Sequence, residues 1–223
     1  MEILLKKHNI SYTCVSLENP YKGYILYSAK DNLLDNFDEK ILCGYQDYEN
    51  CKKQAETFKE RYFYYQVLNN EKSNEHVVII MMNPALACSN NIDDTIKNIN
   101  KYLKNKKYKS FEIINLYPPR TPKPEDLKDV LAKQNFSKYH EIIKVYITKK
   151  KKNSKIVAAW GRNYHKVALG ILKEMKLNYE EDFYAYALNK EKDPRHFSNQ
   201  AYNKKDKYND FKKIKDIITE MDA

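Results

Sequence analysis

The run His76-Val77-Val78-Ile79-Ile80-Met81-Met82 constrains this chain more than any other feature. Unbroken apolar character from Val77 to Met82, largely β-branched, leaves no polar face for solvent, so it predicts a strand buried on both sides. It stops at Asn83-Pro84, and the pattern then repeats. Asp93-Asp94-Thr95 offers helix-capping carboxylates before Ile96, Ile99 and Leu103 at helical spacing. Phe111 to Leu116 predicts a second strand, broken by Pro118-Pro119, with a helical stretch from about Pro124 to Thr148. Lys155 to Trp160 predicts a third strand ending at Gly161, followed by a helix from about Tyr164 to Met175. Phe183 to Leu188 reads as a fourth strand, Asp193-Pro194-Arg195-His196 as a loop, and Asn209 to Glu220 as a closing basic helix. Strands alternating with helices predict a three-layer α/β/α fold with a central, mainly parallel four-stranded sheet over residues 71–223.

The first 70 residues follow no such rhythm and read as an N-terminal extension or small subdomain. Ser11 to Ser16 and Gly23 to Ser28 resemble short strands, and Tyr48 to Phe63 looks helical. The aromatic cluster Tyr62-Phe63-Tyr64-Tyr65 fits a core better than a binding surface.

No apolar run approaches the roughly 20 residues a membrane-spanning helix needs, and the N-terminus turns polar by Lys6-Lys7, unlike a signal peptide. Cys14, Cys43, Cys51 and Cys88 lack paired metal spacing, so a cytoplasmic setting with reduced thiols is expected and a zinc finger is not. The formal charge of +10 gives a positive field that draws phosphates. Lys, Asn, Tyr and Ile are all over-used, as in an A/T-rich genome, so part of the Lys excess is background. The four arginines, Arg61, Arg120, Arg162 and Arg195, are then the informative cations, because a planar guanidinium does what Lys cannot.

In parallel sheets with helices on both faces, ligands sit beyond the carboxyl ends of the strands. Those ends carry Asn83-Pro84, Asn115 with Arg120, Trp160-Gly161-Arg162 and Arg195-His196. The ordered set Met81-Met82-Asn83-Pro84-Ala85, Asp93-Asp94-Thr95, Asn115-Leu116 with Arg120-Thr121-Pro122, Ala158-Ala159-Trp160-Gly161 and Pro194-Arg195-His196 resembles the bacterial and phage domain of unknown function 1643, over about residues 60–203. A mobile-element setting, with a protein partner or inhibitor, fits that resemblance.

The order strand-Asn-Pro, strand-Asn, strand-Trp-Gly and loop His also resembles, more distantly, the uracil-DNA glycosylase superfamily. That resemblance implies that Asn83 holds the hydrolytic water, Asn115 reads the base edge and His196 stabilises the leaving base. Tyr117 is the candidate for the stacking aromatic, and Trp160-Gly161 is structural. The first motif lacks the glycines of Gly-Ile-Asn-Pro, and the last loop reads Arg195-His196-Phe197-Ser198 where His-Pro-Ser-Pro is usual. Asp93 or Asp94 is the candidate for a carboxylate that Asn83 cannot replace as a base, and Arg120, Arg162 and Arg195 are candidates for flanking phosphates.

The sequence-level expectation is therefore a glycosylase-like enzyme excising uracil or another modified base from single- or double-stranded DNA. No cofactor is expected, and a metal held by Asp93, Asp94 and His196 has no spacing signature. Two alternatives stand beside it: a non-catalytic nucleic-acid-binding module on the same fold, and an enzyme acting on free nucleotides.

Overall fold

The structure is a computed structural model that describes residues 1–7, 12–17, 22–28, 60–68, 73–84, 93–104, 106–119, 135–198 and 210–222. Eight strands form one sheet: β1 (Tyr12–Ser16), β2 (Lys22–Ser28), β3 (Arg61–Val67), β4 (Glu75–Met81), β5 (Tyr108–Asn115), β6 (Lys155–Ala158), β7 (Tyr184–Ala185) and β8 (Lys212–Lys213). Their order is β1-β2-β3-β5-β4-β6-β7-β8. The helices are α1 (Glu2–Lys7), α2 (Asp94–Leu103), α3 (Ser137–Lys150), α4 (His165–Glu174), α5 (Tyr179–Asp182) and α6 (Ile214–Asp222).

The expected strands supply the parallel heart of this sheet. β4 pairs in parallel with β5 on one side and β6 on the other, and β6 pairs in parallel with β7. The chain leaves β4 through α2 on one face of the sheet and leaves its neighbour β6 through α4 on the other, and such a parting of connections is where parallel sheets open a crevice beyond their carboxyl ends.

Alternate residues divide two cores. Val78, Ile80, Ile114 and Ile156 face α1, α3, α4 and α6, whose Leu5, Ile143, Ile171 and Ile217 complete one buried layer. Val77, Ile79, Ile113 and Val157 face α2, through Ile96, Ile99, Tyr102 and Leu103. Each fully buried aliphatic side chain contributes roughly 1.5–3 kcal/mol of transfer free energy, which is why β4 tolerates no polar residue between Val77 and Met81.

Four expectations need correction. The sheet has eight strands among the described residues, not four, because antiparallel strands extend it at both ends. Residues 61–63 belong to β3, not to a helix. Phe63 and Tyr64 bury on opposite faces, as strand geometry requires, while residues 48–59 lie outside the described residues. β7 is shorter than Phe183 to Leu188 because the chain turns back on itself: Leu188 bridges Pro194, and Arg195 N donates to Ala187 O at 3.1 Å. The closing helix starts at Ile214, since Lys212–Lys213 pairs with β7. The helix expected from Pro124 is seen from Ser137 to Lys150, and residues 124–134 are not described. The aromatic cluster is core, with Tyr62, Phe63 and Tyr64 buried.

One buried charge ties α3 to the sheet. Glu112 of β5 is 4% exposed. It accepts from the Tyr146 hydroxyl at 2.6 Å and Lys150 Nζ at 2.8 Å, and His76 Nε2 stands 3.0 Å away. Burial pushes its carboxyl pKa up, but the nearby His76 and the bonds from Lys150 and Tyr146 outweigh it and hold the pKa below the ordinary value. A carboxyl depressed on folding stabilises the protein above its unfolded pKa and loses that contribution as pH falls through the folded one. Thermal unfolding followed between pH 7 and 3 should therefore show stability falling below about 4.5, the ordinary Glu value. Glu112→Gln should flatten that acid limb while lowering stability at pH 7, and an unchanged acid limb would count against the network.

Candidate functional site at the carboxyl ends of the parallel strands

Hydrogen bonding between the central strands continues past their formal ends. Leu116 N donates to Met81 O and Tyr117 N to Met82 O, each at 2.8 Å, and Ala159 N donates to Ile80 O at 2.9 Å. This brings the ends of β4, β5 and β6 to one level, with Asn115 the last residue of β5 and Asn83 and Gly161 just beyond β4 and β6.

Asn115 is the most unusual residue there. It stands opposite Met81 in the β4–β5 register, and Met81 lies in the α2-side core, so strand alternation turns Asn115 towards α2. Its side chain is 1% exposed, yet neither Oδ1 nor Nδ2 has a hydrogen-bond partner among the described residues. An amide buried in this way costs about 1–3 kcal/mol for each unpaired group, and native proteins rarely keep one without a use.

His196 stands beside the end of β6, next to Gly161. Ser198 N donates to its Nδ1 at 3.0 Å, so Nδ1 is an acceptor and the neutral ring carries its proton on Nε2. Burial pulls the imidazole pKa down to about 4, with the Asp93 carboxylate acting in the opposite direction. The ring is therefore an uncharged hydrogen-bond donor at ordinary pH.

The loop around it is fixed on several sides. The Tyr186 hydroxyl donates to His196 O at 2.7 Å, Asn98 Nδ2 donates to Phe197 O at 2.8 Å, and Phe197 stacks on Tyr186 at 4.1 Å. Gly161 adopts φ +81°, and a Cβ placed on it would stand 3.3 Å from His196 Cβ. A glycine thus lets the end of β6 and the His196 loop meet closely.

Asp93 caps α2 through Oδ1, which accepts from Ile96 N at 2.9 Å. Its carboxylate acts on His196, so the cap and the site share one residue. Asp94 points elsewhere: its side chain is 60% exposed and lies 3.5 Å from Lys97. Asn83 is half-buried at the turn after β4.

The remaining candidates divide differently. Tyr117 packs edge-on against Phe136 at 5.1 Å and His140 at 5.5 Å, in the core on the α3 side, so it is not brought to the same face as Asn115. Arg162 is exposed at the rim, 3.5 Å from Glu191. Arg195 is half-buried, with Nη1 shielded from solvent, and Arg120 lies outside the described residues. Trp160 is buried on the α3 side, where its Nε1 donates to His165 Nδ1 at 3.2 Å and His165 Nε2 stands 3.6 Å from Asp193.

Asn98 and Tyr186 were not visible as site residues in the sequence. The available signal was an asparagine within the buried stripe of α2, beside Ile96, Ile99 and Tyr102. Among the described residues, no group of three His, Cys, Asp or Glu side chains could hold a metal ion, and no helix is long and apolar enough to cross a membrane.

A family model described as "Protein of unknown function (DUF1643)" matches residues 61–196, more than half of the chain, beginning at Arg61 and ending at His196. No curated protein and no solved structure gives a significant match.

The state of His196 can be read directly. Its ring should titrate with a midpoint near 4 in a carbon- or nitrogen-resolved NMR titration, with the proton on Nε2 above that pH. The unfolded chain takes up this proton first, so the site destabilises the fold as pH drops from about 6.5 towards 4. A midpoint near 6.5 would mean a solvated ring.

Proposed function

The chain belongs to the DUF1643 family of proteins of unknown function, and from that premise we propose that it hydrolyses the N-glycosidic bond of a nucleobase in DNA, with uracil as the first candidate. The observation that carries this reading is that Asn115, a buried amide with no partner among the described residues, and His196, a neutral donor imidazole beside Gly161, both lie at the carboxyl end of the parallel strands. An amide offers a donor and an acceptor side by side, which matches the edge of a pyrimidine.

Breaking the bond between the sugar C1′ and the base nitrogen leaves positive charge on the sugar and negative charge spread onto the base oxygen. The His196 Nε2–H meets that oxygen without bringing a proton acidic enough to be given away early. Asn115 holds the base, Asn83 orients the water that adds to C1′, and the Asp93 carboxylate supplies negative potential for the sugar cation and a place for the water's proton. Asn83, Asn115 and His196 are uncharged, which suits a base edge better than a phosphate. The phosphates of the polymer are met by the net charge of +10 and by rim cations such as Arg162. Extruding the base costs a few kcal/mol, which the site offsets by satisfying Asn115.

The test is release of uracil from single-stranded and duplex oligonucleotides without added metal, read as alkali-labile abasic sites. His196→Ala and Asn115→Ala should each lose about 10²–10³-fold in rate, as for other lost transition-state donors. Undiminished release by either variant would sink the assignment. Tight, salt-dependent DNA binding without product would instead identify a non-catalytic module, and stabilisation by mononucleotides alone a free-nucleotide enzyme.

Asn115→Leu gives an independent signature. Replacing an unsatisfied amide by an isosteric apolar group should raise the thermal midpoint while abolishing activity. A large loss of stability would show that Asn115 is structural.

A further inference from the structure

We infer that Asn98 and Tyr186 are positioning residues that hold the His196 imidazole in register with the floor of the crevice, an inference that rests on the reading of His196 as the donor to the leaving base. Neither residue faces the crevice with a free group. Each instead spends a polar atom on the backbone that carries the ring. Tyr186 OH donates to the His196 carbonyl at 2.7 Å, from just beyond β7. Asn98 Nδ2 donates to the next carbonyl, that of Phe197, at 2.8 Å, from the buried stripe of α2.

The placement is specific. Apolar residues fill the rest of the buried face of α2, so an asparagine there costs desolvation unless its amide is bonded. It is bonded to a segment 99 residues away in the chain. The same helix carries Asp93 at its N-terminus, so the strap holds the acid that acts on His196 and the ring itself to one rigid element. Phe197, stacked on Tyr186 and edge-on to Tyr102, blocks the loop from sliding along the sheet. Two successive carbonyls held at normal hydrogen-bond length fix both the height and the rotation of the peptide, and through them the direction of Nε2. Catalysis by a positioned donor is sensitive to such placement: a shift of about 1 Å can cost about 10²-fold.

Tyr186→Phe tests this with least disturbance, because it removes only the hydroxyl and keeps the stack on Phe197. Asn98→Leu removes the second strap. Tyr108→Phe is the control, since it deletes an equally buried hydroxyl whose partner, Asp210, lies at the opposite end of the sheet. The readout is the pair of His196 ring nitrogens in NMR, alongside kcat and KM for base release. In Tyr186→Phe and Asn98→Leu the Nε2–H tautomer should give way to a mixture, the ring should titrate closer to 6.5, and kcat should fall about 10-fold to 10²-fold with KM little changed. Tyr108→Phe should lower the thermal midpoint and leave the His196 nitrogens as they are. Wild-type nitrogen shifts and titration in Tyr186→Phe would overturn the inference, and so would the same change in Tyr108→Phe. If the wild-type protein releases no base, the glycosylase reading fails on its own, and the ring nitrogens still decide whether the straps position His196.

Discussion

Everything about this molecule is organised by β4, a strand with parallel neighbours on both sides and a helix layer on each face. Such a strand has no exposed edge and no exposed surface, so its only polar outlets are its two ends. Beyond the carboxyl ends of β4 and its neighbour β6 the connections part, through α2 on one face and α4 on the other. In parallel sheets a crevice opens at such a point. What the sequence then places around it is a matter of chemistry.

β5 shows how differently the two ends of the sheet treat a buried polar group. Glu112 and Asn115 sit three positions apart on the same strand, and both are almost fully shielded from solvent. Glu112 faces α3 and has a hydroxyl, an ammonium and an imidazole about its carboxylate. Asn115 faces α2 and has no partner for its amide among the described residues. A sequence able to surround a carboxylate so completely could equally have filled the other position with Leu. That contrast separates a carboxylate whose bonds are made within the fold from an amide whose bonds are not made by the described residues.

The legible part of the fold was the part written in local pattern. Val77–Met82, Phe111–Leu116 and Lys155–Trp160 announce themselves as buried strands, Asp93 as a cap and Gly161 as a turn, and β1 and β2 show their alternation. β3 was obscured because its aromatic run lacks a clear period, and β8 because two lysines give no strand signal. β7 looked longer because Tyr186 and Leu188 are apolar whether they pair with β6 or with their own returning loop. At the site, Asn83, Asn115 and His196 could be found from their places after strands. The partners of His196 could not, since Asn98 and Phe197 meet only through the tertiary fold. Tyr117, the candidate for the stacking aromatic, packs on the α3 side, since residues two apart at a strand's end need not keep to one face.

The chain contains a single tryptophan, and its position gives the molecule a built-in optical probe. Trp160 is buried on the α3 side just beyond β6, and its indole nitrogen donates to His165, whose Nε2 stands 3.6 Å from Asp193. Indole emission shifts to shorter wavelength when the ring is kept dry, and a neighbouring imidazole quenches it more strongly once protonated. The protein's own fluorescence therefore reports, without any label, how Trp160 packs against His165, Tyr179 and Phe183 at the end of β6.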